Sequence, residues 1–202
     1  DDGVSLSGSP VMMERASVSG DGSVAVFVSG DQDGCMIPTN ADGDIFEDCL
    51  GAEGSVYAVA ISPDGRKVAI VLIDDDGNPR NSISIIDTVD GSFHTFPLRA
   101  PLGDGEAIST VLYAEVMDFT ADGNLLLYDA FDEVDLGGGA TRSFYNVYAL
   151  DLVNDRTLEL FNPVPGVDVG NPSLAHTSDN FLLVDVIENG AYQSNSDTEA
   201  NA

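Results

Sequence analysis

Tryptophan is absent from this sequence and basic residues are nearly so: 7 Lys and Arg face 35 Asp and Glu, a formal charge of −28 at neutral pH. So negative a chain repels a phosphate backbone, which excludes nucleic acid as a partner class. Histidine is equally scarce. His94 and His176 are far apart in the chain and lack ligand spacing, so they read as strand residues rather than transition-metal ligands. No run of about 20 apolar residues is present, so no helical membrane span is expected. The opening Asp1-Asp2-Gly3 has no signal-peptide character, so an exported protein would be a mature form or an excised piece. The HExxH, CxxCH, glycine-rich phosphate-loop and GxSxG patterns are missing, and no catalytic residue is assigned. A helical apolar period is missing too, which leaves no crossover helix for a parallel sheet.

What is present is a repeat of apolar runs punctuated by turns. Apolar residues make up 43% of the chain, enough for a folded core. The stretch from Val56 to Leu98 reads as a complete four-stranded antiparallel unit, with strands at Val56 to Ile61, Lys67 to Ile73, Ser82 to Asp87 and Ser92 to Leu98. Its first connection, Ser62-Pro63-Asp64-Gly65, recurs as Ser19-Gly20-Asp21-Gly22, Thr120-Ala121-Asp122-Gly123 and Thr177-Ser178-Asp179-Asn180. Each copy stands between two apolar runs, and the signature aspartates recur 43, 58 and 57 residues apart. That period suits four-stranded propeller blades with loop insertions. A lead-in (1–12) is followed by units at about 13–54, 55–98, 110–162 and 166–188, then by a polar segment (189–202) that reads as a flexible tail. In the third unit Asp132 to Thr141, with three consecutive glycines, reads as a long loop. The fourth offers two strands only, Pro172 to His176 and Phe181 to Ile187.

At Ile61-Ser62-Pro63-Asp64-Gly65-Arg66-Lys67-Val68-Ala69 the chain resembles the TolB-like β-propeller repeat, whose hallmark is a Ser-Pro-Asp-Gly turn between a blade's first two strands. Ser84-Ile85-Ile86-Asp87-Thr88 and Asn146-Val147-Tyr148-Ala149-Leu150-Asp151-Leu152 look like the family's third strand, which ends in Asp before the outer hairpin. The resemblance implies an all-β propeller or partial propeller of about four antiparallel blades, the last incomplete. It further implies a non-catalytic, extracytoplasmic module, extracellular or periplasmic, that binds a protein partner. Two alternatives stand beside that reading: an assembly subunit of an extracellular complex with calcium-stabilised loops, and a propeller fragment of a larger hydrolase. Further copies or blades would complete the ring in the assembly case.

The two cysteines, Cys35 and Cys49, bound one loop-rich insert, and a disulfide between them would close a loop of about 15 residues, worth about 3 kcal/mol in the chain-entropy model. Asp31, Asp33, Asp42, Asp44 and Glu47 crowd into the same insert, and hard oxygen ligands at that density suit calcium. The EF-hand spacing fails, because taking Gly43 as the loop glycine puts Pro38 at the first ligand position and Cys49 at the last. Solvated turn residues are the competing explanation for these acids, as they are for Asp74 to Asp76.

Overall fold

A computed structural model describes residues 16–29, 32–39, 48–50, 55–99, 109–161, 166–175 and 178–188 of the chain. The described residues form strands and turns with no helix, in four antiparallel sheets that follow one another along the sequence. The first sheet holds β1 (Ser17–Val18), β2 (Val24–Val28), β3 (Gly34–Pro38) and β4 (Asp48–Leu50). The second holds β5 (Val56–Ile61), β6 (Lys67–Leu72), β7 (Ser82–Asp87) and β8 (Phe93–Pro97). The third holds β9 (Ser109–Phe119), β10 (Leu125–Gly137), β11 (Ala140–Asp151) and β12 (Arg156–Glu159), and the fourth pairs β13 (Val167–Ala175) with β14 (Ser178–Glu188). Strand order within each sheet is sequence order, the meander of a propeller blade.

The second sheet shows why its strands are apolar on both sides. Val56, Val59, Ile61, Val68 and Ile70 pack with Val26 and Val28 of the first sheet, whereas Ala58, Ala60, Ala69, Val71 and Ile83 pack with Val111, Met117, Phe119, Leu126 and Tyr128 of the third. A sheet covered on both faces needs near-continuous apolar runs, and β6 (Lys67–Leu72) is buried at every position after its first.

The repeated turns close by one hydrogen-bond pattern. Ser62 Oγ donates to Asp64 Oδ1 at 2.6 Å and accepts the Lys67 N–H at 2.9 Å, while the same carboxylate oxygen accepts the Arg66 N–H at 3.1 Å. Ser19 with Asp21 and Thr120 with Asp122 repeat each of these contacts. The fourth residue of each turn has φ of +72°, +72° and +66° at Gly22, Gly65 and Gly123, the left-handed region that glycine enters without strain. The turns also join: the Gly20 N–H donates to the Pro63 carbonyl at 2.8 Å, and Lys67 Nζ to the Gly123 carbonyl at 2.6 Å. A chain of hydrogen bonds thereby links three successive blades at one end of their inner hairpins.

Two expectations are corrected. Asp132 to Thr141 is not a long loop, because β10 and β11 run on through it as one hairpin that turns at Gly138-Gly139, both at positive φ. Its acidic and glycine content read as a loop, but the segment buries Asp132 against the Tyr148 hydroxyl and pairs Glu133 with Ser143 and Val134 with Arg142. In the fourth unit the strands are longer than expected, and Ser178 already pairs with Ala175, so Ser178-Asp179-Asn180 opens β14 instead of forming a turn like the other three. Thr177 and His176 lie outside the described residues.

Ser62→Ala is expected to lower stability by about 1–3 kcal/mol, because it leaves the half-buried Lys67 amide and the Asp64 carboxylate without their shared partner. A urea denaturation midpoint unchanged from the parent would show that the turn knot contributes nothing.

Candidate functional site

The first strands of the four sheets approach a common space. Ser17 and Val18 of β1, Tyr57 to Val59 of β5, Glu115 to Asp118 of β9 and Asn171 to Ser173 of β13 line a cavity of about 440 Å³. Its position along the innermost strands makes it the axial channel of the blade arc. Beside it, between the third and fourth sheets, lies a smaller cavity of about 180 Å³, and Glu115 and Asn171 belong to both.

Carboxylates hold the third and fourth sheets together. Asp129, 3% exposed, accepts the Val116 N–H at 2.7 Å through Oδ1 and the Asn171 N–H at 2.8 Å through Oδ2. Asp118 Oδ2 accepts the Leu174 N–H at 2.7 Å, and Asp168 Oδ1 accepts the Tyr145 N–H at 3.2 Å. A Cβ at position 170 would stand 3.0 Å from Asp129 Oδ2, so Gly170 is what lets the carboxylate reach β13. The register of β13 slips between Gly170 and Ser173, with Asn171 at φ 51°, and this bulge gives Asp129 the Asn171 amide. Burial pushes the Asp129 carboxyl above its ordinary range, against the pull of the Asn171 and Val116 amides.

An aromatic row runs from the second sheet into the third. Tyr57 meets Tyr113 edge-on at 5.7 Å, Tyr113 stacks on Phe131 at 5.5 Å, and Phe131 meets Tyr145 at 5.1 Å. The Tyr145 hydroxyl donates to Glu115 Oε2 at 3.1 Å and lies 3.3 Å from the Tyr113 hydroxyl. Burial raises the Tyr145 hydroxyl, so it stays a neutral donor to that carboxylate. The channel wall thus presents the Glu115 and Asp118 carboxylates, Tyr57, Ser17, Ser173 and Asn171. Carboxylates and aromatic rings attract hydrogen-bond donors and cationic groups.

Deeper in the third sheet, Asp132 is fully buried with one oxygen bonded to the Tyr148 hydroxyl and Oδ1 unpartnered. Burial pushes its carboxyl up to about 7, with the neighbouring Glu159 charge adding to the rise. Glu159 is raised as well, by burial, while its Oε1 accepts the Asn146 amide at 2.8 Å.

Of the calcium candidates, Asp33 is exposed at the turn into β3, where its N–H donates to Ser29 Oγ at 3.1 Å. Asp31, Asp42, Asp44 and Glu47 lie outside the described residues. Among the described residues no group of three or more His, Cys, Asp and Glu converges to hold a metal ion. Cys35 on β3, fully buried, stands directly opposite Cys49 on β4. His94 lies on the exposed β8 with its ring against Phe96. Asp74 is a turn residue, its Oδ1 accepting the Asp76 and Asn78 amides at 3.0 and 2.9 Å. Asp129 and Asp118 were not singled out by sequence reasoning. The available signal was a charged residue inside an otherwise apolar run, as in Leu125 to Phe131.

No protein-family model and no curated protein matches the sequence. Solved structures do match the fold. TolB from Acinetobacter baumannii superposes with a TM-score of 0.50 at 16% identity over 88% of this chain and 41% of its own. A putative TolB from Agrobacterium tumefaciens gives 0.43 at 12% identity over 89% and 78% of the two chains. The Cps50 (Swd1) β-propeller domain from Myceliophteria thermophila gives 0.47 at 14% over 85% and 50%. The chain spans about two fifths of the Acinetobacter TolB, and it shares the β-propeller fold with it.

Asp132 titrates near 3.8 when unfolded and near 7 when folded, so between those values the folded protein keeps a proton that the unfolded chain has released. Its contribution therefore falls as pH rises from about 4 to 7 and is level above, a loss on the order of 4 kcal/mol. The turn carboxylates act oppositely. Asp21 is lowered to about 2 by its Ser23 and Ser19 bonds, and its contribution is lost only as pH falls below the ordinary carboxylate range. Asp132→Asn is expected to shrink the decline in urea midpoint between pH 5 and 8, leaving the part due to Asp129 and Glu159. An identical decline in the variant would place the titration elsewhere.

Proposed function

We propose that the protein is a non-catalytic propeller module that works outside the cytoplasm and binds a protein partner at the mouth of its axial channel. The observation that carries this reading is the channel wall itself, where Glu115 and Asp118 stand beside Tyr57 and Asn171 on strands held rigid by sheet packing. The carboxylates, the Tyr57 ring, the Ser17 and Ser173 hydroxyls and the Asn171 amide along that wall suit recognition of a polar or cationic group. The partner is expected to present basic residues, since the chain carries −28 and opposite charge speeds encounter and sets specificity.

In this reading Cys35 and Cys49 form a disulfide, supported by their direct opposition on β3 and β4, a pairing whose Cα separation such a bond spans. Calcium on Asp31, Asp33, Asp42, Asp44 and Glu47 belongs to the same proposal, on ligand chemistry alone.

Glu115→Lys tests the channel. Affinity capture from an extracytoplasmic extract should recover a defined partner with the parent protein, and the variant should lose it with its melting temperature kept. Equal recovery by both would remove the channel from the interface. For the insert, reduction in the presence of a chelator should lower the melting temperature while the blades stay folded. A melt indifferent to both treatments would refute disulfide and calcium together.

A further inference from the structure

The sequence carries nine Asp-Gly pairs, six of them within the described residues. Such a pair can react with itself, because glycine has no Cβ to keep its amide nitrogen away from the preceding side chain. The nitrogen gives up its proton and attacks Cγ of the aspartate, the carboxyl hydroxyl leaves as water, and a five-membered succinimide forms. Water then reopens the ring. Its attack at the main-chain carbonyl leaves the backbone running through Cβ and Cγ, which is isoaspartate. One water leaves and one enters, so no oxidant or second reactant is required. The departing oxygen leaves from a protonated carboxyl, and donors that hold the carboxylate ionised therefore suppress the step.

The fold supplies such donors to most of the described pairs. Asp21, Asp64 and Asp122 each accept one hydroxyl and one amide, and Asp90 accepts the Ser92 N–H at 2.8 Å. The Ser23 and Ser19 bonds hold Asp21 down to about 2, and the Ser92 and Asn124 amides lower Asp90 and Asp122. Asp33 is protected differently, since Gly34 is buried and pairs with Val28 on one side and Leu50 on the other. Among the described pairs Asp76-Gly77 alone has neither protection. Asp76 is exposed in the loop between β6 and β7, and no hydrogen bond reaches its carboxylate among the described residues. Its neighbour Asp74 takes the Asp76 and Asn78 amides instead. The turn is also looser: the Gly77 N–H donates to the Asp74 carbonyl at 3.1 Å, against 2.8 to 2.9 Å for the corresponding bonds of Gly22, Gly65, Gly91 and Gly123. A Cβ at position 77 would meet nothing within 4 Å, so a succinimide ring has room.

We infer that Asp76-Gly77 is a self-modification site, at which the folded chain forms a succinimide and then isoaspartate with water as the only reagent. The added main-chain methylene moves Asn78 relative to the Asp74 carboxylate that holds its amide, so the β6–β7 loop of an aged molecule differs from that of a new one. This reading is independent of the channel and of any partner.

The whole chain is aged in mildly acidic buffer at physiological temperature, digested with trypsin and analysed by mass spectrometry with electron-transfer fragmentation. Cleavage after Lys67 and Arg80 releases a peptide with Asp76-Gly77 as its one Asp-Gly pair. Isoaspartate is expected to accumulate there about tenfold faster than at Asp64, Asp90 or Asp122. In guanidinium the four positions are expected to react at similar rates, because the protection belongs to the fold. Ser62→Ala, which removes a donor from Asp64, is expected to raise the rate at Asp64-Gly65 and leave that at Asp76 unchanged. Equal rates at all four positions in the folded chain overturn the proposal. A lead for Asp76 that persists unchanged in guanidinium overturns it too, since the selectivity would then lie in the local sequence.

Discussion

The hydroxyl of Ser19, Ser62 or Thr120 bonded to the aspartate two residues on is the contact on which the blade arrangement depends. That oxygen faces two ways at once, donating to the carboxylate and accepting the amide that starts the next strand. The carboxylate then accepts a second amide, so one short turn satisfies the backbone groups that a tight reversal would otherwise strand. Because the turn closes from its own residues, its outer surface is free to meet its neighbours. The Gly20 amide reaches the Pro63 carbonyl, and Lys67 reaches the Gly123 carbonyl. Local closure and blade-to-blade registration are therefore one feature. Thr88 extends it outward, its hydroxyl donating to the Gly65 carbonyl at 2.9 Å, and Thr39 does the same to the Gly22 carbonyl in the first blade.

From first blade to fourth the means of attachment changes. Apolar clusters join the first sheet to the second and the second to the third. Between the third and fourth the specific ties are carboxylates accepting backbone amides, at Asp118, Asp129 and Asp168. Hydrogen bonds are directional where apolar contact is not, so this joint fixes how β13 sits against β9 while burying less apolar surface. It also places ionisable groups beside the channel, and burial sets the cost of ionising Asp129 there.

Much of the fold was legible because turn chemistry and apolar runs agree. Ser62-Pro63-Asp64-Gly65 specifies its conformation from local residues, and β5 and β7 begin and end where the sequence predicts. The hairpin through 132–141 was illegible for the same reason as the Asp129 bridge between the third and fourth sheets. In a chain with 35 acidic residues, an aspartate in a turn and an aspartate in a strand have equal standing until the partner is known. Asp132 is strand because Tyr148, sixteen residues later, donates to it. Asp129 is strand because a bulge at Asn171 brings an amide from the next sheet. Such long-range donors leave no mark near the acid itself.

The acidic excess then divides into groups with different physical consequences. Asp21, Asp64 and Asp122 are held ionised by the turns they close, and Asp151 by the Asn154 side chain and amide in the outer hairpin. These charges are already satisfied by local donors and have little left to offer a ligand. Asp129 and Asp132 are buried, and burial pushes both carboxyls toward the neutral form. Glu115 at the channel and Asp185 and Glu188 on β14 belong to neither group. Glu115 keeps one tyrosine hydroxyl as partner, and Asp185 one asparagine amide from Asn171. A basic group drawn by the overall field would therefore meet Glu115 at the channel before the carboxylates already closed by their own turns.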